Sequence, residues 1–400
     1  MKNILFMSIC EIKDSNSGYI YADLLKEFGL QGNNVFDVTP IRSGKEESFT
    51  DENGVKVIQV KNGQIQKTNK IKKFFNLLAL EQRVIRAVNK HTKGVKFDAV
   101  FTIVSNLCLY KSTRYFKKKH NAYAYMLLKD IFPQNAVDMK MIKTTGIMGL
   151  AYSFFRNKEK RYYALADKIG YTSEAMRKYL LENNGNVVED KMVFFPNSIA
   201  TVDNSLTQQE IAEMRNKYNI PLDSLVFLYG GNFGKPQGIP FVLQCLHSQR
   251  NNSKVFFLIV GGGTEFKKIQ DYIHAEGQKN ALLIESLPRC DYEKVVAACD
   301  VGMIFLDHSF TMPNFPSRLL SYMSARLPVF ACTDTATDIG DIIVQNKFGW
   351  WCESDNVNAF NDCVKSIEQS DLRALGNNAY DYFIQKYTVE NVYGRIEKDF

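Results

Sequence analysis

Three short stretches of this chain carry residue types that bind phosphate, at places where an α/β sheet would present them. Pro316-Ser317-Arg318 opens an amphipathic segment that closes at Arg326-Leu327-Pro328 and runs into the apolar strand Val329-Phe330-Ala331. Ser317 can cap a helix starting there, and the free N–H groups of a helix start hold anions. Arg318 adds a formal positive charge at the same end. Gly230-Gly231-Asn232-Phe233-Gly234-Lys235-Pro236-Gln237-Gly238 directly follows a predicted strand. Its glycines let the backbone approach a phosphate, and Lys235 supplies compensating charge. The loop is neither a Walker loop nor a G-x-G-x-x-G fingerprint, which speaks against ATP and NAD, and a plain structural turn is its competing reading. Gly261-Gly262-Gly263 ends another strand, a weaker signal because any strand-to-helix turn takes glycine.

The elements that must position these loops repeat a strand–helix order. In the first half, Asn3 to Ile9 reads as a buried strand, followed by a loop with Gly18, a helix from about Tyr19 to Phe28 and a strand at Val35–Val38. Further strands are predicted at Val55–Val60, Ala99–Val104, Tyr123–Leu128 and Lys168–Thr172, with helices over 71–90, 111–119, 147–165 and 173–183. The second half predicts strands at Ser224–Tyr229, Val255–Val260, Leu282–Ile284, Val301–Leu306, Pro328–Ala331 and Gly349–Trp351. Residues from Val193 to Ser224 read as the connection between two lobes. This is an α/β chain of two Rossmann-like, doubly wound domains facing a central cleft, with ligands expected where strands end in glycines. The expected divisions are 1–200, 201–380 and a C-terminal helix, 381–400, packing back on the first domain.

With 45% hydrophobic and 23% charged residues among 400, the composition is that of a globular chain with two or three cores. Eight scattered cysteines without a C-x-x-C pair argue against a disulfide framework or a zinc site and for a reducing cytoplasm. The longest nearly uncharged run, near Gly146 to Phe155, is far short of the ~20 residues that a membrane span needs. Charge is unevenly divided, +13 over residues 1–200 and −6 over 201–400, so the first half is expected to meet an anionic partner. Within it, 67–93 holds eight Lys and Arg against Glu81 alone, with Ile71, Phe74, Phe75, Leu78, Ile85 and Val88 on one helical face. Such a helix can lie on an anionic inner leaflet, or its stripe can pack on its own sheet.

Taken in order, the glycine/lysine loop, the triglycine turn, Ser286-Leu287-Pro288, Ala298-Cys299-Asp300-Val301-Gly302 and Pro316-Ser317-Arg318 resemble the donor-binding half of GT-B glycosyltransferases. The likeness is to retaining enzymes of family 4 that act in capsule and O-antigen assembly. Asp130-Ile131-Phe132-Pro133 resembles that family's D-L-W-P and Pro196-Asn197-Ser198 its P-N-G, so the likeness runs over the whole chain. The resemblance implies a retaining, metal-independent hexosyltransferase that uses a nucleotide sugar, UDP-linked on family grounds, as substrate and no cofactor. Its acceptor would be a saccharide on a polyprenyl diphosphate, with no nucleic acid involved and a location in the cytoplasm or on the inner face of the membrane. Lys235 and Arg318 would hold the diphosphate and act catalytically with Asp130, which would orient the acceptor hydroxyl or act as its base. Asp130 could instead be a cap before Pro133. Gly18, Gly231, Asn232, Gly234, Gly263, Leu287, Pro288, Ser317 and Ser321 would line the donor.

The chain departs from the family at its E-x7-E pair, which falls on Pro313 and Ser321. Neither is acidic, so the usual contacts to ribose and donor sugar are rewritten, with Asp307, His308 or Asn314 as candidate substitutes. Two other readings follow: a sugar-nucleotide 2-epimerase of the same fold, or a GT-B partner protein without catalysis.

Overall fold

The computed structural model describes residues 1–9, 21–41, 46–62, 70–104, 107–201 and 205–400. It divides into one unit of Met1–Ala200 with Thr388–Phe400 and a second of Thr201–Tyr387.

The first unit is built on eight strands: β1 (Asn3–Met7), β2 (Asn34–Ile41), β3 (Glu47–Thr50), β4 (Lys56–Lys61), β5 (Ala99–Val104), β6 (Tyr123–Leu128), β7 (Lys168–Tyr171) and β8 (Met192–Phe194). Their order is β3-β4-β2-β1-β5-β6-β7-β8. Only the β3–β4 pair is antiparallel. Largely apolar runs such as Ala99–Val104, broken only by Thr102, are buried on both faces because helices cover both sides of a parallel sheet. One core layer joins Phe6, Phe28, Phe101 and Tyr125 to Val389, Val392 and Ile396 of the helix Val389–Ile396. That last helix is further tied down by Tyr125, whose hydroxyl donates to Asp399, and by Asn33, which donates to the Tyr393 hydroxyl. The other layer holds Leu80, Val84, Ala87 and Val88 of the helix Lys70–His91 against β1, β2 and β4. The stripe of that basic helix, from Leu80 onward, therefore packs on its own sheet. The side chains of Ile71, Phe74, Phe75 and Leu78 lie outside the described residues, as does Gly18.

Several elements differ from the sequence expectation, the polar strand Glu47–Thr50 among them. Met192–Phe194, expected to begin the inter-lobe connection, is the eighth strand, paired in parallel with β7. A three-residue strand has too little periodicity to read, and pairing alone defines it. The connection does contain a helix, Gln208–Lys217, started by a capping box in which Thr207 and Glu210 satisfy each other's backbone N–H groups.

Asp37, on β2, is 1% exposed, and its Oδ1 has no hydrogen-bond partner among the described residues. Burial, and then the Asp51 charge, push its carboxyl up to about 8. The folded state thus holds a proton that the unfolded chain releases near pH ~4. Stability is full below that value and falls as pH rises towards 8, by at most ~1.4 kcal/mol per pH unit. Asp37→Asn is expected to raise the thermal midpoint more at pH 8 than at pH 5, read by differential scanning calorimetry at both; an equal effect at both would refute it.

The second unit carries β9 (Leu225–Asn232), β10 (Val255–Gly262), β11 (Ala281–Ile284), β12 (Val301–Phe305), β13 (Val329–Thr333) and β14 (Gly349–Glu353), all parallel, ordered β11-β10-β9-β12-β13-β14. Strand order reverses between β9 and β12. The crevice beyond the carboxyl ends of the strands flanking such a reversal is where open α/β sheets bind ligands.

Candidate functional site

Beyond the end of β9, the two glycine loops that look separate in sequence are one structure. The β9–β10 pairing continues past the apolar residues, with Gly231 opposite Gly261 and Asn232 opposite Gly262. Phe233 N–H then donates to Gly262 O at 2.8 Å, and Glu265 N–H to Phe233 O at 2.9 Å. Gly261 and Gly263 have φ of +148° and +153°, and a Cβ on them would sit 1.9 Å from Gly231 O and 2.3 Å from Phe233 O. The triglycine turn therefore exists to let the second loop lie flush against the first.

Arg318 opens the helix Arg318–Ser324 and comes to this same loop. Its guanidinium carbon stands 5.0 Å from the centre of the Tyr229 ring, a cation–π contact. Gly231, at φ +116°, leaves room for it, since a Cβ there would be 3.3 Å from Nη2. Arg318 Nη1 is buried and has no hydrogen-bond partner among the described residues. A desolvated guanidinium N–H without an acceptor is costly, and it marks where an anion would gain most.

A bolt holds this arrangement. Tyr322, one turn after Arg318 and fully buried, accepts from Gly230 N–H at 3.1 Å. Its hydroxyl also lies within donating distance of Leu228 O (3.3 Å) and Met303 O (3.2 Å). The helix is thereby fixed to β9 and β12 at once. Tyr292, from the helix Arg289–Ala297, places its hydroxyl where a Cβ on Gly230 would be. Burial raises the phenol pKa values of Tyr229, Tyr292 and Tyr322, while the Arg318 charge opposes the shift in all three. Sequence reading gave these three tyrosines no role because each looks like ordinary core; their grouping around Gly230 and Gly231 is set by the tertiary structure.

The remaining expected donor residues fall as follows. Lys235 is exposed and makes no ion pair among the described residues, on a single 3-10 turn, Lys235–Gln237. Gly234 N–H donates to Gln237 Oε1 at 2.9 Å, with the Asn232 amide beside it. Leu287 is half-buried, and the exposed Pro288 immediately precedes Arg289–Ala297. Ser317 stands at the N-cap position, but its backbone is already helical and its side chain makes no capping bond. The expected cap is therefore absent, since a side chain caps best from an extended backbone. Pro313 is buried, and Ser321 is half-buried on the Arg318–Ser324 helix. Of the candidate substitutes, Asp307 Oδ1 accepts from Ser309 N–H and Oγ, at 3.0 and 2.5 Å. His308 Nδ1 lies 2.6 Å from Asp355 Oδ2, and Asn314 O accepts from Thr337 Oγ1 at 2.7 Å.

Asp130 belongs to the first unit, two residues beyond the carboxyl end of β6, with its pKa raised by burial. Its neighbour Lys129, passed over in the sequence, is the less ordinary group. Its ammonium donates to Phe195 O at 3.2 Å and lies 5.5 and 5.6 Å from the Tyr21 and Phe195 ring centres. Burial lowers its pKa to about 7. A Lys-Asp dipeptide reads as a solvated pair; only the packing of Tyr21 and Phe195 makes it otherwise.

Residues 210–382 match the family model of glycosyl transferases group 1. The chain is 25% identical over 269 residues to the probable glycosyltransferase WbjE of Pseudomonas aeruginosa, which covers 66% of this chain and 64% of that protein. It is 22% identical over 181 residues to the putative colanic acid biosynthesis glycosyl transferase WcaI of Escherichia coli, covering 44% and 43%. It thus spans less than two thirds of either relative. In structure it is similar to HepE of Anabaena, solved in complex with UDP, with a TM-score of 0.67 and 14% identity over 100% of this chain and 99% of that one. The chain accordingly has the α/β GT-B fold, and over residues 210–382 it is similar to glycosyl transferases group 1.

Proposed function

We propose that this protein is a retaining glycosyltransferase that moves a sugar from a nucleoside diphosphate, UDP being the favoured carrier, to a lipid-linked saccharide in surface polysaccharide assembly. One observation carries the reading: Arg318 Nη1, buried and without an acceptor among the described residues, is held against a glycine loop at the sheet's reversal point, with Lys235, which makes no ion pair among those residues, four residues beyond Gly231. Relatives named as glycosyltransferases and a similar structure holding UDP support it.

In this reading the acceptor oxygen bonds to the anomeric carbon on the face from which the diphosphate leaves. The bond to the phosphate oxygen breaks, and the acceptor proton passes to that departing oxygen. Lys235 and Arg318 offset the charge that develops there, so neither a metal nor a cofactor is called on. Asp130, its pKa raised by burial, would orient the acceptor hydroxyl.

The test is a panel of UDP-, GDP- and ADP-sugars incubated with the pure protein, with and without a polyprenyl-diphosphate saccharide. Acceptor-dependent nucleotide release with an α-linked product from an α-linked donor is expected. Interconversion of donor alone would make it an epimerase. Binding without turnover would make it the catalytically silent partner that the non-acidic Pro313 and Ser321 suggest. Lys235→Ala is expected to lower kcat about 10²-fold with an unchanged melting midpoint, read by the same release assay; a near-normal kcat would remove Lys235 from the site.

A further inference from the structure

The second unit carries a cavity of about 460 Å³ at the end of the helix Arg318–Ser324 opposite to Arg318. Arg326, Arg373, Tyr380, Ser324, Gln208 and Ile211 contribute to its wall, and no carboxylate does among the described residues. Both arginines stand where the local backbone disfavours them. The helix closes in a Schellman turn, with Arg326 N–H donating to Met323 O at 3.1 Å and Leu327 N–H to Tyr322 O at 3.0 Å. Such a turn needs a left-handed residue, usually glycine, and Arg326 fills the position at φ +57°. Arg373 lies in the first turn of the helix Leu372–Lys386, whose positive dipole end repels a cation. The nearby Asp371 is occupied as the N-cap, accepting from Ala374 N–H at 3.1 Å.

Packing holds this arrangement in place. Arg373, Asn377 and Tyr380 follow one another at four and three residues, on one face of Leu372–Lys386. Gly376 lets that face touch the Schellman turn, since a Cβ there would sit 2.0 Å from Arg326 O. The Arg326 guanidinium carbon lies 3.7 Å from the Tyr380 ring centre, and Nη1 donates to Asn377 Oδ1 at 3.1 Å. Neither arginine makes an ion pair among the described residues, and both are exposed, so a solute reaches them. Two guanidiniums lining one cavity without a carboxylate repel each other until an anion stands between them. Their planar forks match the oxygens of a phosphate.

We propose that this cavity binds a phosphorylated sugar. The phosphate bridges Arg326 and Arg373, and its charge offsets both the repulsion between them and the misplaced charge of Arg373. Ser324, Tyr380 and Gln208 offer hydroxyls and an amide to the sugar hydroxyls, while Ile211 lies against the apolar face of the ring. The site belongs to the second unit alone and uses none of the residues assigned to the donor. It therefore stands or falls independently of sugar transfer.

The test is isothermal titration of the full chain with glucose 1-phosphate, glucose 6-phosphate, inorganic phosphate and glucose. At least one hexose phosphate is expected to bind, about ten-fold or more tighter than inorganic phosphate, and glucose is expected not to bind. Arg373→Ala and Arg326→Gly should each weaken that binding about ten-fold or more. The melting midpoint should stay or rise in both, since each removes a locally disfavoured residue. Arg373, exposed on its helix, keeps the test decisive if Arg326→Gly loosens the Tyr380 contact. Arg318→Ala, or the parent in excess UDP, should bind the hexose phosphate as the parent alone does. Four results would overturn the inference: no hexose phosphate binding, equal affinity for inorganic phosphate, binding that survives Arg373→Ala, or displacement by UDP.

Discussion

Arg318→Ala is expected to reduce nucleotide-sugar turnover by ~10²–10³-fold while leaving the melting midpoint unchanged or slightly higher. Removing one preorganised donor from a developing anion costs a factor of that size. The stability half follows from the protein's own bonding. Arg318 Nη1 has no acceptor among the described residues, while the guanidinium lies over the Tyr229 ring in room that Gly231 leaves. Taking away a half-buried cation whose buried Nη1 lacks an acceptor relieves a desolvation cost, which offsets the lost contact. Arg318→Lys keeps the charge but loses the planar fork, and should recover only part of the activity. Nucleotide release measured beside calorimetry decides the matter, together with the rise in midpoint that UDP should give the parent and not the variant. Near-normal kcat in Arg318→Ala would sink the assignment. A large fall in midpoint would make Arg318 structural.

Gly302→Ala is expected to destabilise the protein by about 4 kcal/mol and to take turnover with it. Gly302 lies on β12, and a Cβ there would stand 2.4 Å from Cγ and Cδ2 of Tyr322, inside the ring's contact surface. The fully buried ring must shift, at ~1–3 kcal/mol for overpacking. Its hydroxyl then leaves Gly230 N–H and the carbonyls of Leu228 and Met303, at another ~1–3 kcal/mol for a buried group left unpaired. Tyr322→Phe isolates the second part and should lose only that. Urea unfolding read as a midpoint change at constant m separates a stability loss from a changed unfolded state. A Gly302→Ala protein as stable as the parent would show that Tyr322 has another place to go. Because Tyr322 sits one turn beyond Arg318, the variant should also lose its stabilisation by UDP.

Much of the architecture was legible in the chain for a definite reason. In a parallel sheet covered on both faces, a strand is a nearly continuous apolar run, so Ala99–Val104 and Tyr123–Leu128 show their limits in the letters alone. Glu47–Thr50 does not, being polar, mostly exposed and defined only by its antiparallel partner. Met192–Phe194 failed for length. Ser317 failed because residue type is only half of a cap, and its backbone is helical rather than extended.

At the site the division is sharper. The sequence alone determined the α/β class, the glycines and cations that could meet a diphosphate, and the non-acidic residues at 313 and 321, because these are matters of residue identity and short-range spacing. Tertiary structure decided the rest. It joined Gly231 to Gly261 across two strands, seated Arg318 between Tyr229 and Gly231, and hung its helix from Gly230 by Tyr322. It also sealed Lys129 against Tyr21 and Phe195 and left Ile147, Leu150 and Phe154 in solvent. Each of these depends on which distant segments exclude water from a side chain, and local pattern carries no record of that.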